Sequence, residues 1–157
     1  MTDRTIISAS PEETYVLGCD IGNDLSGGDV VLLYGGLGAG KTLLTKGIMD
    51  GLHYDVDEVT SPSFALVNLY KTQRFEVYHI DLWRLASSDD ILSAVGLEEI
   101  FENERAITII EWADRLGLVT PTENIVKISI DGAGDEPRRI GVSIQRPVGK
   151  VSTTGKN

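Results

Sequence analysis

Cysteine, basic side chains and long hydrophobic runs are all scarce in this sequence. Cys19 is the only cysteine among 157 residues, so an internal disulfide is impossible and a cysteine-based zinc site would lack ligands. No apolar run approaches the roughly 20 residues that a membrane-spanning helix needs. The N-terminus also lacks the basic start and apolar stretch of a signal peptide. We therefore expect a cytoplasmic protein that does not cross a membrane.

The shortage of basic residues limits the possible partners. Lysine and arginine number 14 against 24 aspartates and glutamates, which gives a net charge of -10. Tight nucleic-acid binding depends largely on neutralising phosphates, so the composition argues against such binding by this chain alone. The 41% of hydrophobic residues is typical of globular proteins. We predict one domain over residues 1–145 and a short disordered tail over 146–157.

Helix signals recur along the chain. Ser10 can cap a first helix, Pro11 suits its first turn and Glu13 completes a capping box. A second helix is predicted over about residues 41–52, after a glycine-rich turn. Two shorter helices are predicted further on, one that starts near residue 87 and ends at Gly96, and one over 97–103.

Apolar runs between these helices predict buried strands. Residues 30–34 and 106–110 are typical of parallel strands that are buried on both faces. Residues 64–70 and 75–82 predict a hairpin around the polar turn 71–74, and residues 125–130 and 140–144 predict two late strands. Alternating helices and strands indicate a layered α/β domain, and the closely spaced strands add an antiparallel portion to the sheet.

The most specific motif follows the first buried strand and opens the second helix. It matches the phosphate-binding pattern G-x-x-x-x-G-K-[ST] with the residues Gly35-Gly36-Leu37-Gly38-Ala39-Gly40-Lys41-Thr42. Glycines let the backbone curl so that successive N–H groups face one phosphate, and the helix N-terminus adds its positive dipole end. Lys41 would reach the β- and γ-phosphates, and the Thr42 hydroxyl would coordinate Mg²⁺. The motif predicts a P-loop NTPase-like three-layer sandwich with a mainly parallel sheet.

The motif by itself leaves the nucleotide open between ATP and GTP. The sequence has no Asn-Lys-x-Asp segment of the kind that reads guanine in GTPases, which favours ATP. A phosphate-loop enzyme also needs a carboxylate at the end of a neighbouring strand to hold Mg²⁺ or its water shell. Asp81 and Glu111 each end a predicted strand, and both would project into the crevice where α/β sheets bind ligands.

Two further segments allow more than one interpretation. His79 lies two residues before Asp81 and therefore on the same face of the strand. We predict that it is a hydrogen-bonded partner of Asp81 or a semi-buried structural histidine. Thr60 and Ser61 precede a proline between the second helix and the next strand. They form either an ordinary turn or the loop that senses the γ-phosphate in many phosphate-loop switches.

Several segments, taken with the phosphate loop, resemble the TsaE family, small bacterial ATPases needed for the threonylcarbamoyladenosine modification of tRNA. They occur in family order and span roughly residues 10–145. The segments are Thr60-Ser61-Pro62-Ser63-Phe64, His79-Ile80-Asp81-Leu82-Trp83-Arg84-Leu85, Gly96-Leu97-Glu98-Glu99 and Ile110-Glu111-Trp112-Ala113-Asp114-Arg115-Leu116.

The resemblance implies an ATP–Mg²⁺ site and a slow ATPase. Lys41 would contact the phosphates, and Thr42 and Glu111 would hold the metal. Asp81 would act on the metal's water shell or orient the attacking water.

The resemblance further implies a switch loop at Thr60 and Ser61, and an adenine near Pro11. The implied partners are the TsaD and TsaB proteins, of which TsaD transfers the threonylcarbamoyl group to adenosine 37 of tRNA. The ATP cycle of this chain would reset that complex, so tRNA would be contacted only indirectly.

The sequence departs from the family pattern at a few positions, and other functions stay open. Gly36 stands where an acidic residue is usual, which removes a charge beside the phosphates. Arg84 and Arg115 are the in-chain candidates to neutralise charge in the transition state. The alternatives are a small-molecule kinase, although no segment looks like an arginine-rich lid, and an interaction module that binds nucleotide without useful hydrolysis.

Overall fold

A seven-stranded mixed sheet forms the centre of the protein in the computed structural model, which describes residues 2–60, 62, 67–83, 96–116 and 123–147. The strand order across the sheet is β1-β7-β6-β2-β5-β4-β3. In chain order the strands are β1 (Thr2–Ser8), β2 (Val30–Gly35), β3 (Val67–Lys71), β4 (Glu76–Asp81), β5 (Ala106–Glu111), β6 (Ile125–Asp131) and β7 (Arg138–Gln145).

Helices pack on both faces of this sheet. One face is covered by α1 (Pro11–Asp24) and α2 (Lys41–Gly51), whose apolar side chains share a core with β2, β5 and β6. The other face carries the short helix α3 (Leu97–Glu102) and a 3-10 turn at Ala113–Leu116. The predicted α/β three-layer sandwich is therefore confirmed.

The centre of the sheet is parallel and both of its edges are antiparallel. β6, β2, β5 and β4 pair in parallel, while β1 pairs with β7, β7 with β6 and β3 with β4 in antiparallel register. Val30 to Leu33 of β2 are almost fully buried because β2 lies between two strands and between two helical layers. The antiparallel share is larger than predicted because β1, an edge strand of mixed polarity, was not recognised from the sequence.

The first helix begins as the Ser10 and Pro11 signals predict, whereas the Glu13 carboxylate accepts the Ala9 N–H rather than completing the predicted capping box. The Ser10 side chain accepts a hydrogen bond from the Glu13 N–H at 3.2 Å, and Pro11 occupies the first helical position of α1. Gly40 precedes α2 in the left-handed conformation, with φ of 113°. Gly96 directly precedes α3 in the left-handed conformation, with φ of 66°, and α3 lies where the helix over 97–103 is predicted. That an earlier helix ends at Gly96 stays a prediction. The helix predicted from residue 87 lies outside the described residues.

Four glycines allow α1 and α2 to approach until their backbones touch. A Cβ on Gly47 would lie 2.3 Å from the Tyr15 carbonyl oxygen, and one on Gly22 would lie 2.2 Å from the Ile48 carbonyl oxygen. Gly18 and Gly51 have similarly close backbone neighbours across the same interface. The first helix is thereby fixed against the helix that follows the phosphate loop.

A partly buried ion pair joins Arg146, which follows β7, to Asp29, which precedes β2. Asp29 is 1% exposed and accepts hydrogen bonds from the Ser26 N–H at 2.8 Å and from both terminal nitrogens of Arg146. Arg146 is thus held against the domain, although it was predicted to begin the tail. Residues 148–157 lie outside the described part of the chain. None of the described helices is both long and apolar enough to cross a membrane.

Replacing Arg146 by methionine is expected to destabilise the protein by about 1–3 kcal/mol. The Asp29 carboxylate would stay buried without its cation, and the half-exposed position of the guanidinium keeps the loss below that of a fully buried pair. Urea unfolding would measure the change, with Arg139→Met as the control because Arg139 is exposed on β7, the strand that Arg146 directly follows. Equal unfolding midpoints for the two variants would contradict the expectation.

Candidate functional site

The predicted phosphate loop connects the carboxyl end of β2 to the first turn of α2. Gly38 and Gly40 both have positive φ, 76° and 113°, which side chains of L-residues rarely allow. The loop therefore turns sharply and presents its backbone ahead of the helix N-terminus. Leu37, at the tip of the loop, is 80% exposed.

Lys41 lies beneath this loop and is 6% exposed. Its Nζ donates hydrogen bonds to the carbonyl oxygens of Gly35 and Gly36, both at 2.7 Å. It also lies 4.0 Å from the centre of the Trp112 ring, a cation–π contact. Burial lowers the pKa of Lys41, and the nearby carboxylates of Glu111, Asp81 and Asp114 oppose that shift.

The two predicted carboxylates lie side by side at the ends of neighbouring strands. Asp81 and Glu111 are direct register partners in the parallel pair β4 and β5, and Leu33 of β2 is the partner of Glu111 on its other side. Both are buried, with exposures of 7% and 2%. The Thr42 hydroxyl donates to Glu111 Oε1 at 3.2 Å. A hydroxyl and a carboxylate in contact form an oxygen donor set that suits a hard divalent cation.

His79 contacts a different acid from the one predicted. Its Nε2 lies 2.5 Å from Glu111 Oε2, whereas Asp81 Oδ1 accepts the Trp83 N–H at 2.9 Å. His79 is completely buried, and its Nδ1 has no hydrogen-bond partner among the described residues. The prediction of an Asp81 partner was wrong because neighbouring parallel strands bring Glu111 of β5 beside His79 of β4. No sequence spacing encodes that pairing.

Aromatic side chains form one wall of the site. The rings of Trp83 and Trp112 lie 4.3 Å apart between centroids, and the guanidinium of Arg115 lies 5.1 Å from the Trp83 ring centre. Trp112 has a φ of 59°, an uncommon value for a bulky residue, and this conformation accompanies the placement of its ring over Lys41. Arg84 lies outside the described residues.

Two neighbouring cavities share Gly40 and Leu43 as part of their walls. A cavity of about 440 Å³ contains the predicted phosphate and metal residues, and its lining is Leu37, Gly38, Gly40, Lys41, Thr42, Leu43, Asp81, Trp83, Glu111 and Trp112. A second cavity, of about 300 Å³, lies on the other side of the loop. Its walls include Pro11, Thr14, Ala39 and Arg138. The structure thus places the predicted Pro11 beside the loop but away from the carboxylates.

Thr60, one of the two predicted switch residues, contacts β3 and is not among the described residues that line the phosphate-loop cavity. Thr60 lies against β3, where its carbonyl oxygen accepts hydrogen bonds from Asn68 Nδ2 and from the Tyr70 hydroxyl, both at 3.1 Å. The described lining of neither cavity includes Thr60. Ser61 lies outside the described residues, and the switch role stays a prediction.

Sequence reasoning missed one residue at the site altogether. Arg138 of β7 donates hydrogen bonds to the carbonyl oxygens of Ala39 at 3.0 Å and Gly38 at 3.4 Å. The turn before β7 was predicted, but nothing in the sequence shows that the turn folds against the phosphate loop some 100 residues earlier.

Comparison with known proteins gives one family for nearly the whole domain. The family model described as "Threonylcarbamoyl adenosine biosynthesis protein TsaE" matches residues 8–140. A Treponema pallidum protein named tRNA threonylcarbamoyladenosine biosynthesis protein TsaE is 37% identical, over 87% of this chain and 98% of its own length. A Bacillus subtilis protein with the same name is 35% identical, over 85% of this chain and 80% of its own length.

A solved structure has the same fold as this chain and is also similar to it in sequence. The crystal structure of YdiB from Bacillus subtilis superposes with a TM-score of 0.75 at 29% identity, covering 92% of this chain and 86% of that one. The family match covers the phosphate loop, both carboxylates and His79. The chain therefore belongs to the TsaE family, whose members take part in the biosynthesis of threonylcarbamoyladenosine in tRNA.

Proposed function

We propose that this chain is an ATPase that binds ATP with Mg²⁺ and supports tRNA threonylcarbamoyladenosine modification by acting on a TsaD–TsaB complex. The observation that carries the proposal is the contact between the Thr42 hydroxyl and Glu111, at 3.2 Å, directly beside Lys41 of the phosphate loop. A lysine and a hydroxyl at the start of a helix, beside a buried carboxylate at the end of a parallel strand, are the groups that a nucleoside triphosphate and its metal require.

The residues of the loop bind the phosphates by charge and by backbone dipoles. Lys41 already has its ammonium inside the loop, held by two carbonyl oxygens, so its charge is available where the terminal phosphates would bind. The α2 N-terminus adds its dipole at the same point. Thr42 and Glu111 would hold Mg²⁺, which when bound neutralises negative charge on the β- and γ-phosphates.

Asp81 is suited to orient the water that attacks the γ-phosphorus. It lies beside Glu111 in register, and one of its oxygens is fixed by the Trp83 N–H. In the reaction the water oxygen bonds to the γ-phosphorus while the bond from that phosphorus to the β–γ bridging oxygen breaks. ADP and phosphate are the products. The nucleoside would occupy the cavity of about 300 Å³ beside Pro11.

Exposed side chains at the mouth of this site support a role for partner proteins. Leu37 is 80% exposed and Trp83 is 43% exposed, and both line the cavity that contains Lys41. Large apolar side chains grouped at a site mouth are typical of protein contact surfaces. Arg115 packs on the Trp83 ring, so a partner that covers Trp83 would also reposition this guanidinium. Since one well-placed arginine can raise phosphoryl-transfer rates by about 10³–10⁵, we expect slow hydrolysis by the chain alone.

The test is ATP hydrolysis by the full chain, alone and with TsaD, TsaB and tRNA added. We expect stimulation by the complete set and loss of turnover in Lys41→Ala, because the variant lacks the ammonium that lies inside the loop where the terminal phosphates would bind. Lys46→Ala, five residues beyond the motif lysine on the same helix, is the control. Turnover that the added proteins leave unchanged would remove the partner assignment and keep the ATP site. Phosphoryl transfer to a small acceptor well above transfer to water would favour the kinase instead.

A further inference from the structure

We infer that Arg138 is a positioning residue that fixes the backbone of the phosphate loop in its phosphate-binding conformation, and this inference rests on the proposed ATP binding. Arg138 belongs to β7, at the far end of the chain from the loop. Its Nε donates to the Ala39 carbonyl oxygen at 3.0 Å and its Nη2 to the Gly38 carbonyl oxygen at 3.4 Å. Both acceptors lie within the G-x-x-x-x-G-K-[ST] motif.

Because the peptide bond is planar, a contact that holds a carbonyl group also fixes the direction of the N–H group of the next residue. In a trans peptide the C=O of one residue points opposite to the N–H of the next. A guanidinium that holds the Ala39 carbonyl therefore turns the Gly40 N–H away from Arg138, towards the other side of the loop. Successive N–H groups turned to one side make the concave anion-binding surface of a phosphate loop. Arg138 contacts the loop from behind, through the oxygens that a phosphate does not use.

The turn between β6 and β7 is built around this guanidinium. Nη2 also donates to the Gly134 carbonyl oxygen at 3.0 Å, and Nη1 donates to the carbonyl oxygen of Glu136. Gly132, with φ of 125°, leaves room for the side chain, since a Cβ there would lie 3.0 Å from Arg138 Cδ. The same planar group is thus anchored to the turn by two bonds and to the loop by two others. A rigid fork of several donors can do this, whereas a lysine ammonium is a point charge on a flexible stem.

The charge of Arg138 offers a competing explanation for any effect on ATP. Among the described residues, no carboxylate forms an ion pair with Arg138. A positive charge near the loop could attract phosphates at a distance without ordering the backbone. The two explanations predict different affinities for Arg138→Lys, which keeps the positive charge but loses the planar guanidinium and its fixed N–H donors. Arg138 also lines the cavity beside Pro11, so a third explanation is direct contact with the nucleoside.

The experiment compares Arg138→Lys and Arg138→Met with the wild type and with Arg139→Met, a neighbour on the same strand with an exposed side chain. Calorimetry would measure the affinity for ATP, ADP and inorganic pyrophosphate. Displacement of a fluorescent ADP analogue would measure the affinity for adenosine. Loss of two ordinary hydrogen bonds to the loop predicts about tenfold weaker binding of the three phosphate ligands in both Arg138 variants. Adenosine affinity and the Arg139→Met variant should stay at the wild-type values.

Each alternative gives a different pattern. Wild-type affinity in Arg138→Lys would overturn the inference in favour of charge alone, and an equal loss for adenosine would overturn it in favour of nucleoside contact. Thermal unfolding shows whether each variant is folded, and Arg138→Lys keeps the test valid should Arg138→Met fail to fold. ATP binding by the wild type that Lys41→Ala abolishes shows that the proposed site stands whatever Arg138 does. Absence of that binding would overturn both proposals.

Discussion

Replacing Glu111 by glutamine is expected to lower ATP hydrolysis by at least about a hundredfold and to leave the protein at least as stable as the wild type. The carboxylate is 2% exposed and contacts both Thr42 and His79. If it holds Mg²⁺, an amide in its place removes the negative charge that the cation needs, and preorganised charge of this kind is typically worth about 10²–10³ in rate.

Stability should change in the opposite direction because the negative charge is buried. The glutamine amide has nearly the same shape, its oxygen can accept the hydrogen bond of His79, and its NH₂ can donate to the Thr42 hydroxyl. The desolvation cost of a carboxylate disappears at the same time. A buried charge that lowers the stability of the protein is expected to serve function rather than structure.

Two measurements on the same samples separate these effects. ATP turnover is followed as Mg²⁺ is varied, and the free energy of unfolding is obtained from urea titration. Glu98→Gln serves as the control, since Glu98 is exposed in the first turn of α3. A variant that hydrolyses ATP at the wild-type rate would remove Glu111 from the proposed site. A clear loss of stability would show instead that the carboxylate is needed for packing.

The groups at this site were predictable from the sequence to the extent that local patterns determine them. The phosphate loop is a contiguous motif, so its strand, its turn and its helix follow from one another. Asp81 and Glu111 were identified because each ends an apolar run, and parallel strands end at a common edge of the sheet. The sequence was sufficient for these positions because each depends on residues within a few places along the chain.

Contacts between distant segments were not predictable in the same way. The pairing of His79 with Glu111 depends on β4 lying beside β5. The contact of Arg138 with Ala39 depends on β6 lying beside β2, which brings the turn between β6 and β7 next to the phosphate loop. Strand β1 was missed because an edge strand contributes little apolar alternation to recognise.

Replacing Gly47 by alanine is expected to destabilise the protein by roughly 3 kcal/mol and to weaken nucleotide binding as well. The new Cβ would lie 2.3 Å from the Tyr15 carbonyl oxygen and 3.0 Å from the Gly18 Cα. Both neighbours are backbone atoms of α1, so no change of rotamer can relieve the overlap and the two helices must move apart. Overpacking of this kind typically costs about 1–3 kcal/mol and more when backbone must shift. The helix propensity of alanine returns up to about 1 kcal/mol.

Gly47→Ala should weaken nucleotide binding as well as stability, because both helices begin at the proposed nucleotide site. α1 starts at Pro11, beside the smaller cavity, and α2 starts at Lys41, inside the phosphate loop. Separating them would widen the space between the nucleoside and phosphate regions. Gly36→Ala is the matched control for stability, since no atom lies within 4 Å of its added Cβ. Differential scanning calorimetry should show a midpoint lower by roughly 6–12 °C for Gly47→Ala and little change for Gly36→Ala. Equal midpoints would mean that the helices tolerate separation and that their close contact does not determine the geometry of the site.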